Sequence, residues 1–142
     1  MKTYETSISI AASREATWRV LSDVAAWPQW LPTVASVESL DGSALAVGRR
    51  YRVTQPKLQP VTWVVTALEP SHRFSWQARS PGLQMVADHI VDEDPAGALR
   101  VSLRFSFAGP LGPLVGALYR SITERYIATE AAKLKLEVET SR

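Results

Sequence analysis

Few side chains in this sequence can carry chemistry. Cysteine is absent, and the 142 residues include two histidines. These counts remove a thiolate nucleophile, an iron–sulfur cluster and a Cys-ligated zinc site, and neither a metal nor a cofactor is expected. His89 is the first candidate. Met85, Ala87 and Val91 share its parity in an alternating run, so its imidazole should point inward, where a neutral ring serves as base or hydrogen-bond donor. The plainer reading is a buried histidine satisfied by one backbone or tyrosine partner; on both readings the ring belongs at a cavity wall. Asp88 has the opposite parity and should not pair with it. Tyr51 and Tyr126 are candidates for a second acid/base group. Arg125, near the inner stripe of a C-terminal helix, either reaches a ligand carbonyl or carboxylate or pairs and snorkels at the rim. Arg104 is expected on the outer sheet face, and His72 in an exposed turn. The chain contains no G-x-S-x-G, G-x-G-x-x-G, P-loop or H-E-x-x-H, so an enzyme built on it would position a reactive ligand around one acid/base group.

The aromatics suggest what such a ligand would be. Apolar pockets holding a few placed polar groups are the usual small-molecule sites. The candidate lining residues are Trp18, Trp30, Tyr51, Trp63, Trp76, Met85, His89, Phe105, Leu118, Ile122 and Tyr126. Trp27 and Trp30 form either an entrance lid or the anchor of a short helix. Charge adds little, since sixteen Lys and Arg against fourteen Asp and Glu leave +2. The cluster of Arg49, Arg50 and Arg52 alternates across a strand and reads as a solvated strand end, so no nucleic-acid partner is expected.

These residues must be held by a core, and 46% hydrophobic residues over this length fit one domain spanning 1–142. The Met1–Ile10 segment carries Lys2 and Glu5 and lacks an apolar leader core. The longest charge-free stretch, Phe105–Tyr119, is 15 residues and interrupted by Gly and Pro, short of the roughly 20 apolar residues of a membrane span. A cytoplasmic protein is the expectation.

Period-two alternation predicts strands over Thr3–Ala11, Thr33–Leu40, Arg49–Gln55, Val61–Leu68, His72–Arg79, Leu83–Asp92 and Leu99–Phe107. Ser13 offers an N-cap for a helix from Arg14 to about Val24, and Ala26–Pro32 reads as a second short helical turn. From Pro110 the period becomes helical, with Leu111, Leu114/Val115, Leu118, Ile122, Arg125/Tyr126, Thr129 and Ala132/Lys133 leading to Leu136. At 1.5 Å per residue this is one C-terminal helix of roughly 40 Å. The expected fold is α+β: a curved seven-stranded antiparallel sheet wrapped around that helix, two short helices between the first and second strands, and a cavity where the helix leaves the concave face unfilled.

The motifs S-R-E-A-T-W-R-V-L-S-D at 13–23, W-P-Q-W at 27–30, V-G-R-R-Y at 47–51, W-V-V-T-A-L-E-P-S-H-R-F-S-W at 63–76, A-D-H at 87–89 and F-A-G-P-L-G-P at 107–113 span nearly the whole chain. In this order they resemble the START-like, birch-pollen-allergen-like superfamily, and within it the bacterial polyketide cyclase/dehydrase-type group of helix-grip proteins. The resemblance implies the helix-grip fold and functions from lipid transfer and secondary-metabolite binding to aromatase/cyclase chemistry. Fold does not choose among these.

Three functions follow as expectations. The first is binding of an apolar or aromatic small molecule, such as a lipid, polyketide or isoprenoid, between sheet and helix. The second is a cyclase or dehydratase using His89 as general acid/base. The third is an interaction module with no small ligand. A homodimer is compatible with each.

Overall fold

Alternating apolar and polar side chains give every strand one face to bury, and the seven strands satisfy it by joining a single sheet. The computed structural model describes residues 1–42 and 44–140. The strands are β1 (Lys2–Ser9), β2 (Ser36–Ser39), β3 (Arg50–Thr54), β4 (Val61–Glu69), β5 (Arg73–Ser80), β6 (Leu83–Glu93) and β7 (Leu99–Ala108). Their order is β1-β7-β6-β5-β4-β3-β2, and each pair is antiparallel. β2 through β7 follow one another as neighbours in sequence, whereas β1 pairs with the last strand from Lys2↔Phe107 to Ser9↔Arg100. A register shift between Val65 and Ala67 on β4 adds local twist and bend.

The short helices follow their local signals. Ser13 caps α1 (Arg14–Ser22), its Oγ accepting from the Ala16 N–H at 3.1 Å. A 3-10 helix, Val24–Gln29, contains Pro28 and buries Val24 and Trp27. The Arg14 guanidinium fastens α1 to the sheet by donating to the carbonyls of Ser71 and Val91, both at 2.8 Å.

The expectation of one unbroken C-terminal helix is corrected. The chain forms α2 (Gly112–Leu118) and then α3 (Arg120–Thr140), separated at Tyr119 with φ −99° and ψ 15°. The expected inner stripe is also displaced. The buried residues of α3 are Thr123, Ile127, Ala131, Leu134 and Val138, one position on from the predicted Ile122, Tyr126 and Lys133. One residue is about 100° of helix rotation, so Arg125 and Leu136 turn outward. The face that packs sets Thr123 and Ala131 in one stripe with Ile127, Leu134 and Val138.

Packing of α3 is lopsided. It lies chiefly on β1, β7 and α1, so the concave faces of β3 to β6 meet other partners. Leu21, Leu31, Tyr51 and Phe74 are fully buried there. The part of the concave face that these side chains leave unfilled is a cavity. Among the described residues, no helix is long and apolar enough to cross a membrane.

Candidate functional site: an aromatic cavity with a buried His–Glu pair

The concave face that carries the cavity is organised in cross-strand rows. Val65, Trp76, Ala87, Phe105 and Tyr4 lie in register across β4, β5, β6, β7 and β1. Phe74, His89 and Leu103 make the next row, and Ala78, Met85 and Phe107 another. Neighbouring rings lock one another: Trp63 stacks on Trp76 with centroids 5.7 Å apart and meets Phe105 edge-on at 5.7 Å. The resulting cavity has a volume of about 460 Å³, within the range of roughly 300–1,000 Å³ that suits small ligands. Lys57, Gln59 and Tyr119 are exposed lining residues and mark its mouth, while Trp27, His89 and Leu103 are buried and close its inner end. His89 stands six residues along β6 from Leu83 at the mouth, about 20 Å at the usual strand rise.

His89 is boxed by three rings. Phe74 stacks on it with centroids 4.1 Å apart and planes 9° apart, Trp27 lies at 5.6 Å, and Trp76 presents an edge at 5.7 Å. Its Nδ1 lies 3.3 Å from the Phe74 carbonyl oxygen. A carbonyl only accepts, so Nδ1 carries the proton and Nε2 presents a lone pair. Facing that lone pair at 3.6 Å is Oε2 of Glu130 on α3. Burial pushes the His89 pKa down to about 4, against the Phe74 hydrogen bond and the Asp88 charge. Burial alone pushes the Glu130 carboxyl up to about 8. At neutral pH the pair is therefore an uncharged imidazole facing a protonated acid, with the acid's proton as the one mobile proton between them.

The expected lining residues divide into two groups. Trp63, Trp76, Met85, His89, Phe105, Ile122 and Tyr126 all line the cavity. The others do not, and their assignments are corrected. Trp18 meets Phe74 edge-on at 6.3 Å from the α1 side and lines a separate shallow depression with Leu45 and Leu68. Trp30 packs edge-on against Trp27. Tyr51 is wholly buried beside Trp76, its hydroxyl donating to the Ala44 carbonyl at 3.2 Å. Leu118 is 73% exposed because α2 turns it outward.

Neither tyrosine is the second group beside His89. Tyr126 donates to the Pro56 carbonyl at 2.6 Å, tying α3 to the loop after β3. Trp27 is an anchor, its Nε1 donating to the Leu21 carbonyl at 3.1 Å. Arg104 pairs with Glu5 at 3.0 Å and Asp88 at 3.8 Å on the opposite sheet face.

Glu130 escaped the sequence reading. A signal was present: it lies three residues after Ile127 and four before Leu134, both buried positions. A carboxylate beside that stripe has little water to turn to, but the displaced phase of the predicted helix hid it.

Solved structures with this architecture are numerous. The Zhui aromatase/cyclase from Streptomyces sp. R1128 superposes with a TM-score of 0.76 at 18% identity, covering 97% of this chain and 93% of its own. Norcoclaurine synthase from Thalictrum flavum gives 0.76 at 16% identity, covering 99% of this chain and 95% of that one. A START superfamily protein from Mycobacterium smegmatis gives 0.72 at 17%, covering 99% of both chains. At these identities the likeness establishes the fold alone. No curated protein matches the sequence. The family model described as polyketide cyclase / dehydrase and lipid transport, however, matches residues 1–139. Fold, register and sequence thus agree over almost the whole length, and the chain belongs to the polyketide cyclase / dehydrase and lipid transport family.

Proposed function

We propose that the protein binds an apolar small molecule, of lipid, polyketide or isoprenoid kind, whose one oxygen-bearing group meets Glu130 and His89 at the inner end of the cavity. The observation that carries this reading is the pairing of an aromatic-walled cavity of about 460 Å³ with the acid–imidazole pair of Glu130 and buried His89 inside it. The walls reward apolar surface at roughly 25 cal/mol per Å². The protonated Glu130 supplies a donor that a ligand carbonyl or hydroxyl satisfies, and an unmatched acceptor there would be costly. Family membership and the aromatase/cyclase among the structural neighbours support the same reading.

The test is fluorescence titration with N-phenyl-1-naphthylamine, a neutral apolar dye. The expected result is saturable binding that Met85→Trp or Ile122→Trp weakens about tenfold or more by filling the cavity, roughly 1.4 kcal/mol or above. Folded variants that bind the dye as well as the parent would overturn the assignment.

A second reading is favoured by the same pair. In an acid–base dehydration, the His89 Nε2 lone pair takes the proton α to a ligand carbonyl. The C–H electrons form the new C=C bond, and the β-hydroxyl leaves with the Glu130 proton as water. The imidazolium then returns its proton to the Glu130 carboxylate across the 3.6 Å gap, restoring both groups. A β-hydroxy ketone followed by enone absorbance tests this. Turnover lost in both His89→Gln and Glu130→Gln supports it, whereas dye binding without turnover leaves binding as the function.

A further inference from the structure

Helix α2 shows an apolar face that no described residue covers. Leu111, Leu114, Leu118 and Tyr119 are exposed by 45%, 60%, 73% and 45%, and their spacing puts them along one side of a single short helix. Leucines usually turn to the core, but here glycines take the inner side. Gly112 lies against the Phe107 carbonyl, and a Cβ on it would come within 2.7 Å of that oxygen. Gly116 lies against the stem of Lys2, where a Cβ would come within 2.6 Å. The helix is thereby pressed flat on β7 and β1 with its leucines outward, and neighbouring Met1 is 80% exposed.

This face adjoins the cavity mouth. Val115, Tyr119 and Ile122 line the cavity, and the Leu111 N–H donates to the Gly82 carbonyl, at the turn that leads into the lining residue Leu83.

The exposed charges around the mouth are mostly positive. Lys2 lies along α2, Arg79 is near the end of β5 beside the turn that Leu111 touches, Lys57 lines the mouth, and Arg120 and Arg125 are exposed at the start of α3. The acid on this stretch of α3 is Glu124, paired with Arg120 at 3.1 Å. Glu69, Asp92 and Glu93 sit at the opposite ends of their strands, where Arg73 pairs with Glu69 and Arg100 with Asp92. Five of the sixteen Lys and Arg thus surround the apolar end, with Glu124 beside them.

From this combination we propose that the leucine face of α2 docks on an anionic lipid surface, setting the cavity mouth against the bilayer. Outward leucines bury apolar area in the interface, and the surrounding Lys and Arg side chains are drawn to anionic headgroups. A second copy of the chain would bring the same cations against each other, which argues against self-association as the use of this face. The inference goes beyond ligand binding, since vesicle binding needs no occupied cavity.

Cosedimentation of the full chain with phosphatidylcholine vesicles, with and without phosphatidylglycerol, tests it. The expected result is binding about tenfold or more stronger to the anionic vesicles, reversed by salt. The Leu114→Ser/Leu118→Ser double variant should lose that binding about tenfold or more while melting like the parent, because both residues are exposed. Absence of binding to either vesicle, equal binding to both, or binding unchanged in the double variant would overturn the proposal. So would sedimentation velocity showing a parent dimer that the double variant dissolves, which would assign the face to self-association.

Discussion

The His89–Glu130 pair makes stability depend on pH in two opposing ways. His89 stays neutral in the fold down to about 4, against an ordinary 6.5, so stability falls as pH drops from 6.5 toward 4. Glu130 keeps its proton in the fold up to about 8, against an ordinary 4.5, so the folded state holds more protons than the unfolded chain and stability falls as pH rises from 4.5 to 8. Between 4.5 and 6.5 the two slopes cancel, and above 6.5 only Glu130 acts. The expected loss from pH 6.5 to 8 is about 2 kcal/mol, or roughly 5–10 °C in melting temperature for a chain this size. In Glu130→Gln that decline should vanish; a parallel decline in the variant would show that another group causes it. The sequence offered half of this pair. Strand parity identified His89 as inward because a strand has two faces and no phase to lose. Glu130 depended on helix phase, which an error of one residue displaces by about 100°.

Among the elements, α2 separates what local pattern dictates from what contact dictates. Its leucines at three- and four-residue spacing read as a buried stripe, yet the face that packs is the glycine face. Replacing a helical glycine by alanine normally stabilises by up to about 1 kcal/mol. At Gly112 the sign should reverse, because a Cβ would come within 2.7 Å of the Phe107 carbonyl oxygen, which β7 holds in place. Gly112→Ala should cost about 1–3 kcal/mol, measured by denaturant melts, and an unchanged or raised midpoint would show that α2 is not seated as described. Alternation located the strands well, with their ends shifted by one or a few residues. The clearest change was the shortening of Thr33–Leu40 to Ser36–Ser39, where the chain leaves the 3-10 helix before it can pair with β3.

At the scale of the molecule, the first strand forms one edge of the sheet by pairing with the last. β1 pairs with β7 along its whole length, and α3 lies on both. A chain shortened to begin at Ala11 should therefore lose its cooperative melt entirely, since it removes an edge strand and uncovers the helix that walls the cavity; a retained sharp transition would contradict this. Occupancy provides the complementary check. An apolar ligand that binds only the folded cavity, present at a hundred times its Kd, should add about 2.7 kcal/mol. Cavity-filling Met85→Trp, binding tenfold or more weaker, should cut that gain to about 1.4 kcal/mol or less while leaving the unliganded protein folded.

The sequence by itself determined the α+β class, the antiparallel sheet, the aromatic wall and the inward His89, because each rests on alternation or composition that every strand repeats locally. Only the tertiary structure decided which helix face packs, where the helix breaks, and that Glu130 is the partner of His89. Those depend on how close two surfaces approach. That distance is set jointly by small residues on the helix and large rings on the sheet, more than forty positions apart for His89 and Glu130.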